Sequence, residues 1–457
     1  MMNFLDCGLW LCCVEIQSTE ELLYWGKMVF LLWFMFYFTL CPLFSKTNSE
    51  QIHSLPGQPK NLILKQYSGY IVTDESRGRS SFYYFVEAQS KRSPALVPLT
   101  LWLGGAHGCS SVGKALFTEN GPFRPGKDGM LKRNACSWNL AESNMLYVDS
   151  PIGTGFSFSK TRSDYNGWNA TMTVNENMRF LVKWFEKFPK YRNSDFYLGG
   201  DGLIGHLVPQ LATLVLEYNE SNVTPINLKG LAIGNLGRGP YKYTDDYLWY
   251  HGVISQELYT KLKTICSSEK AYDEIHRGNT SKDCEKIMSE LDKEIGEDVD
   301  MDSLLMPICV PSNSSLKHHV ASEDIIGDPC LYDNTMVYLN RPEVQKALHI
   351  NKTQHWDECR GGDQDMTYPV VETRGLAHML AKDLKLVRLR KNEPWYNGPQ
   401  VGGWSESYGN LREGKNFTYL TFASVKGGSH FAPSSNPSEV FTLFKSFLKG
   451  SPPKGAL

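Results

Sequence analysis

The order of apolar and polar positions divides the chain into strand and helix signals. QYSGYIVTDE (66–75) and SFYYFVEAQ (81–89) are rich in β-branched and aromatic residues and flank a polar turn, which predicts a hairpin. LVPLTLWL (96–103) is a continuous apolar run bounded by glycines, the pattern of a buried strand, and NMLYVDSP (144–151) is another. In TVNENMRFLVKWFEKFP the apolar residues Val174, Met178, Leu181, Phe185 and Phe188 recur at helical spacing. DFYLGG (195–200) reads as strand, GHLVPQLATLVLEYNE (205–220) as helix and LKGLAIGN (228–235) as strand. Strands alternating with helices predict an α/β fold, a mostly parallel sheet covered on both faces.

Beyond Gly239 the character changes. Charged, helix-prone stretches such as QELYTKLKTIC and SKDCEKIMSELDKEI dominate, so 239–329 is expected to be a helical insertion between core parts 56–238 and 330–457. Strand and helix signals resume after Met336–Asn340. The tail carries a strand, FTYLTFASV, a loop with His430, and the helix PSEVFTLFKSFLKG.

Residues 1–46 form a leader. Met28–Phe44 is seventeen apolar or near-apolar residues without charge. That lies between a signal-peptide core of about 7–15 residues and a membrane span of about 20. A signal peptide over 28–45 is expected, with an anchor as the alternative; translation from Met28 would remove the acidic stretch before it. A cleaved leader leaves no membrane contact. The net charge of −2 gives no electrostatic pull toward nucleic acid, which is not expected as a partner.

Of eleven cysteines, four lie in or before the leader. The other seven show no metal-ligand spacing, so no metal or other cofactor is expected, and an oxidising compartment would allow three disulfides and one leftover thiol. Seven glycosylation sequons, at Asn169, Asn219, Asn222, Asn279, Asn313, Asn351 and Asn416, fit a secretory route. The glycine-rich GGAHG lacks the Lys-Ser/Thr of a phosphate loop.

FYLGGDGLIGHLVPQLA (196–212) has the layout of a strand, a tight turn and a helix. In hydrolases built this way a serine stands at the tip; here the tip reads Gly200-Asp201-Gly202. Together with LWLGGAHGCSSVG, ENGPFRP, NMLYVDSPIGTGFSFS, YLNRPEVQKALHI, GGDQD, PWYNGPQVGGWSESYG and SVKGGSHFAP, it resembles the serine carboxypeptidase family of α/β-hydrolases from about Pro56 to Gly450. The similarity is greatest to the plant serine carboxypeptidase-like proteins.

The resemblance implies an α/β-hydrolase sheet with a helical insertion and a Ser-Asp-His triad. A histidine takes the serine's proton, and an aspartate holds the histidine's tautomer. The histidine position is His430 and the aspartate position Asp363, with Asp365 close by. The serine position falls on Gly202, and no flanking residue can take its place. Backbone N–H groups of Ala106 and Leu203 match the oxyanion-hole positions. Gly104 and Asp201 match the residues that bind the substrate's terminal carboxylate, but Gly104 has no side chain and Asp201 is one methylene short. Ile204 is bulky for a tight turn. His107 and His206 are expected to be structural. The resemblance pairs Cys109 with Cys359, Cys266 with Cys284 and Cys309 with Cys330, leaving Cys136 over. It also implies a helix and a strand before Asp363 that CRGGDQD omits. Either the sheet rearranges or this stretch comes from a mis-predicted exon.

The expected function is a carboxypeptidase homologue unable to hydrolyse peptides, outside the cell or in a vacuole. A peptide C-terminus is the expected partner if the pocket survives. The alternatives are an active carboxypeptidase whose sequence is faulty, a peptide- or partner-binding pseudoenzyme, and an acyltransferase, which needs the same serine.

Overall fold

In a computed structural model, residues 50–457 are described apart from 105–108, 142, 167–168, 222–223, 236–242, 297–298, 300–303, 305–306, 310–327, 351–353, 358–369, 413–414, 430–431 and 456–457. The leader therefore lies outside the described residues. Gln51–Leu457 forms one unit.

The chain begins with β1 (Gln51–Ile52), β2 (Gln66–Asp74) and β3 (Arg79–Val86). β2 and β3 are the expected hairpin, with Tyr70 opposite Phe82. β4 (Leu99–Leu103) is followed by a π-helix, Val112–Glu119, then the short pair β5 (Phe123–Pro125) and β6 (Leu131–Arg133), and β7 (Asn144–Val148). α1 (Ala170–Lys187) precedes β8 (Phe196–Asp201), the single turn α2 (Gly202–Gly205), α3 (Leu207–Ser221) and β9 (Leu228–Gly234). The central sheet has the order β1-β2-β3-β7-β4-β8-β9. β7, β4, β8 and β9 run parallel, and β3 joins β7 antiparallel.

Both faces are covered, which is why β4 and β7 are apolar at almost every position. On one face α1 and α3 pack over Leu101, Leu146 and Leu198. α1 begins where the Asn169 side chain accepts from the Met172 N–H, and it buries Val174, Leu181 and Phe185 as its spacing requires. Its Trp184 is fully buried, 5.2 Å from the Phe85 ring and 4.8 Å from Phe188. Truncating such a residue to alanine costs about 3–5 kcal/mol. On the other face the π-helix, Trp138 and Trp356 cover Phe82, Tyr84, Trp102 and Tyr147.

The expected insertion contains α4 (Thr244–Tyr250), α5 (Gln256–Thr264), α6 (Ser268–His276) and α7 (Lys282–Ile295). They share a small core of Leu248, Leu258, Leu262 and Ile287 around the Cys266–Cys284 disulfide. Ser255, Ser267 and Ser281 cap three of these helices. The chain continues through α8 (Leu331–Leu339), α9 (Pro342–Ala347), α10 (Val370–Asp383), β10 (Val387–Asn397), β11 (Gln400–Arg412), β12 (Lys415–Ala423), α11 (Ala432–Ser435) and α12 (Pro437–Leu448). β10, β11 and β12 form a separate antiparallel sheet, and among the described strands none pairs with the outer edge of β9.

Candidate active-site crevice at the strand ends

β4 and β8 are neighbouring parallel strands, with Leu103 opposite Gly200, so Gly104 and Asp201 stand side by side where the strands end. From β4 the sheet continues to β7 on one side, and from β8 to β9 on the other. In open α/β sheets the crevice at such a reversal, beyond the carboxyl ends of the strands, is where ligands bind.

The turn after β8 is built for close approach. The Trp102 ring lies over Gly199, where a Cβ would come within 2.4 Å of it. Gly202 begins α2 with φ of 58°, a left-handed conformation that glycine adopts freely and other residues reach at a cost. Leu203 follows within α2. Ile204, expected to disturb a tight turn, is instead 3% exposed and packs into the apolar cluster on the α1–α3 face. The turn thus gains core contact from its bulk. His206 lies between α2 and α3, and its carbonyl accepts from Gln210.

Gly104 contributes a backbone N–H, donated to Ser111 Oγ at 3.0 Å. A Cβ at 104 would stand 2.9 Å from the Ala115 Cβ and 3.6 Å from Trp102 Nε1. Ala115 therefore fills the space that a side chain at 104 would use. The π-helix supplies a charge beside it. Lys114 Nζ lies 4.0 Å from Asp201 Oδ2, and the two side chains are 5% and 11% exposed. Neither Lys114 nor Trp102 was singled out from sequence. A lysine inside the apolar run SVGKALF was the available signal.

Below this level Asp149 follows β7 and organises the loops. Its carboxylate accepts from Ser110 Oγ (2.7 Å), the Val112 N–H (3.1 Å) and the Phe156 N–H (2.9 Å). Complete burial raises its pKa to about 6, against the lowering effect of those donors. Trp356 Nε1 donates to Ser110 Oγ, and its ring covers Gly113 at the start of the π-helix.

Asp363, His430, Ala106, His107 and Cys359 lie outside the described residues. The chain on either side of His430 is placed. Ser429 N–H donates to Ser435 Oγ, α11 packs on the π-helix, and Arg124 Nη2 donates to the Pro433 carbonyl. Cys266–Cys284 and Cys309–Cys330 are formed, Cys109 is disulfide-bonded, and Cys136 is a half-buried free thiol whose pKa burial raises. Of the sequons, Asn169, Asn279 and Asn416 are exposed. The Asn219 side chain is bonded in both directions to the Ile226 backbone, at 2.8 and 2.7 Å. Asn222, Asn313 and Asn351 are outside the described residues.

A strand–turn–helix set over a crevice at the end of a parallel β4–β8 pair defines an α/β-hydrolase. The chain belongs to the serine carboxypeptidase family, whose profile matches residues 56–362 and 360–450. It is 38% identical over 446 residues to serine carboxypeptidase-like 46 of Arabidopsis thaliana, covering 89% of this chain and 93% of that protein. It is 39% identical over 441 residues to serine carboxypeptidase-like 42 of the same plant, covering 87% and 90%. The fold matches the crystal structure of Kex1(Δ)p, a prohormone-processing carboxypeptidase from Saccharomyces cerevisiae. That match has a TM-score of 0.63 at 18% identity, over 88% of this chain and 96% of that one. Among the described residues no helix is long and apolar enough to cross a membrane.

Proposed function

We propose that this chain is a serine carboxypeptidase homologue of the secretory pathway that does not hydrolyse peptides. The observation that carries the reading is Gly202 at the tip of the turn after β8. Acyl transfer in this fold needs a side-chain oxygen at that tip, activated by a histidine. Glycine has none. Asp201 sits 4.0 Å from the Lys114 ammonium, and Leu203 is a hydrocarbon, so neither neighbour supplies a nucleophile. Removing such a nucleophile can cost on the order of 10⁶ in turnover.

His430 and Asp363 are then relics of the triad, and the Ala106 and Leu203 backbone groups relics of the oxyanion hole. The Cys266–Cys284 and Cys309–Cys330 disulfides support an oxidising compartment, extracellular or vacuolar. The test is a matched pair from a secretory host, the native chain and Gly202→Ser, assayed at acidic pH on a blocked dipeptide and labelled with a fluorophosphonate. A silent native chain beside a labelled variant supports the reading. Amino-acid release by the native chain overturns it.

A further inference from the structure

We propose that Arg192 and the polar side chains around it form a binding site for a small polyhydroxylated anion, a sugar phosphate or a sugar acid, at the amino-terminal ends of β8 and β9. The site lies at the opposite end of β8 from Gly202, and the inference does not rest on the loss of hydrolysis.

A cavity of about 480 Å³ opens there, within the size range of small-molecule pockets, and Arg192 is the one charged residue lining it among the described residues. Arg192 follows the short turn Pro189–Tyr191 that joins α1 to β8. Its guanidinium packs against two rings, Phe185 of α1 and Tyr218 of α3, at 5.4 and 5.8 Å from their centroids. Nη2 donates to Tyr218 Oη at 3.0 Å and to the carbonyl and Oγ1 of Thr224. These contacts fix the planar fork without neutralising it. Among the described residues no carboxylate pairs with Arg192, and its buried Nε has no acceptor. A half-buried charge without a counter-charge is disfavoured, and a guanidinium held in place suits an oxyanion geometrically as well as electrostatically.

The other polar groups of the cavity are neutral and partly uncommitted. The exposed Asn193 amide makes no hydrogen bond among the described residues. Asn227 gives its Nδ2 to Asp195 Oδ1 at 2.9 Å and keeps its carbonyl oxygen, and Thr224 keeps its hydroxyl hydrogen. Amide and hydroxyl groups that both donate and accept, set around one cation, match the hydroxyls of a sugar carrying one anionic group. Asp195 does not oppose that charge alone, because Lys229 Nζ lies 3.8 Å from it. The wall is already in place without a ligand: the Asn219 side chain bonds the Ile226 backbone in both directions, and the Phe196 N–H donates to the Asn227 carbonyl at 2.9 Å.

The test is calorimetric titration of the full chain in low-salt buffer with glucose 6-phosphate, glucuronate and glucose. At least one anion is expected to bind, and glucose at least ~10-fold more weakly, since it offers the guanidinium no charged partner. The tighter of the two anions identifies phosphate or carboxylate as the head group. Arg192→Met should remove the preference for the anions. Because it also breaks the Tyr218 and Thr224 contacts, circular dichroism checks its fold, and a second variant, Asn193→Ala, removes only an amide without an internal partner. Asn193→Ala should fold as the native chain does and weaken the bound anion by roughly 2–10-fold. Glucose binding as tightly as the anions, native affinity in Asn193→Ala or in folded Arg192→Met, or no binding of either anion by the folded native chain would each overturn the proposal. None of these results bears on whether the chain hydrolyses peptides, which is read at Gly202 in a separate assay.

Discussion

Replacing Gly202 by alanine and by serine separates the backbone role of this residue from its missing chemistry. Its φ of 58° lies in the left-handed region, where a Cβ approaches the following carbonyl and costs a residue roughly 1–2 kcal/mol. Both substitutions carry that cost, because both add a Cβ. For a urea slope of about 3 kcal/mol/M, the upper end for small proteins, the midpoint should fall by roughly 0.3–0.7 M in each variant. Only serine adds an oxygen, so only serine should take a fluorophosphonate label. The assay is urea unfolding followed by fluorescence, run on the native chain and both variants. A glycine already in an ordinary helical conformation would behave oppositely, since Gly→Ala there stabilises by about 0.4–1 kcal/mol. A raised midpoint in Gly202→Ala would therefore refute the left-handed turn and, with it, the placing of Gly202 at the tip.

Gly104→Asn should destabilise by about 1–3 kcal/mol through overpacking, because its Cβ would stand 2.9 Å from Ala115 Cβ; adding Ala115→Gly should recover much of the loss in a double-mutant cycle. Asp149 should make the fold less stable as pH rises from about 4 to about 6. Its folded pKa is raised to about 6 by burial, so the folded state binds the extra proton in that window and stability is highest below it. Urea midpoints at pH 4 and 7 should show this contribution, on the order of 2–3 kcal/mol, and Asp149→Asn should remove it. Asp164 has the opposite sign: Arg79 and Arg77 hold its carboxyl well below the usual range, so its contribution is present above about pH 4 and fades as pH falls further. Mass spectrometry of the secreted chain should find glycan on Asn169, whose side-chain oxygen caps α1 and leaves the nitrogen for modification, and none on Asn219, whose nitrogen is bonded to Ile226.

Much of the sheet was legible because its strands are buried and its helices half-buried. The runs around β4 and β7 have no polar alternation to confuse, and α1 shows its inner face through Val174, Leu181 and Phe185. The strand–turn–helix around Gly202 was legible from its glycines and the apolar helix behind them. What pattern did not reveal depends on contacts distant in sequence. β10, β11 and β12 carry strand-like composition, but nothing local states that they pair with one another rather than with β9. The fit of Ile204 in its turn is not legible locally, because the core that receives it lies on α1 and α3. Trp102 and Lys114 each carry a single polar atom in an apolar run, and their places beside Gly104 and Asp201, respectively, exist only once β4, β8 and the π-helix are assembled.

The most direct measurement is on the native chain alone. Purified from a secretory host and shown to be folded, it is treated at acidic pH with a fluorophosphonate and, separately, with a blocked dipeptide, and both reactions are read by intact-mass spectrometry. The account expects an unmodified protein and an uncleaved peptide over times in which a plant carboxypeptidase consumes the substrate. A stoichiometric mass increase on one residue, with release of the C-terminal amino acid, would mean that a nucleophile other than residue 202 works in this fold and would contradict the central claim.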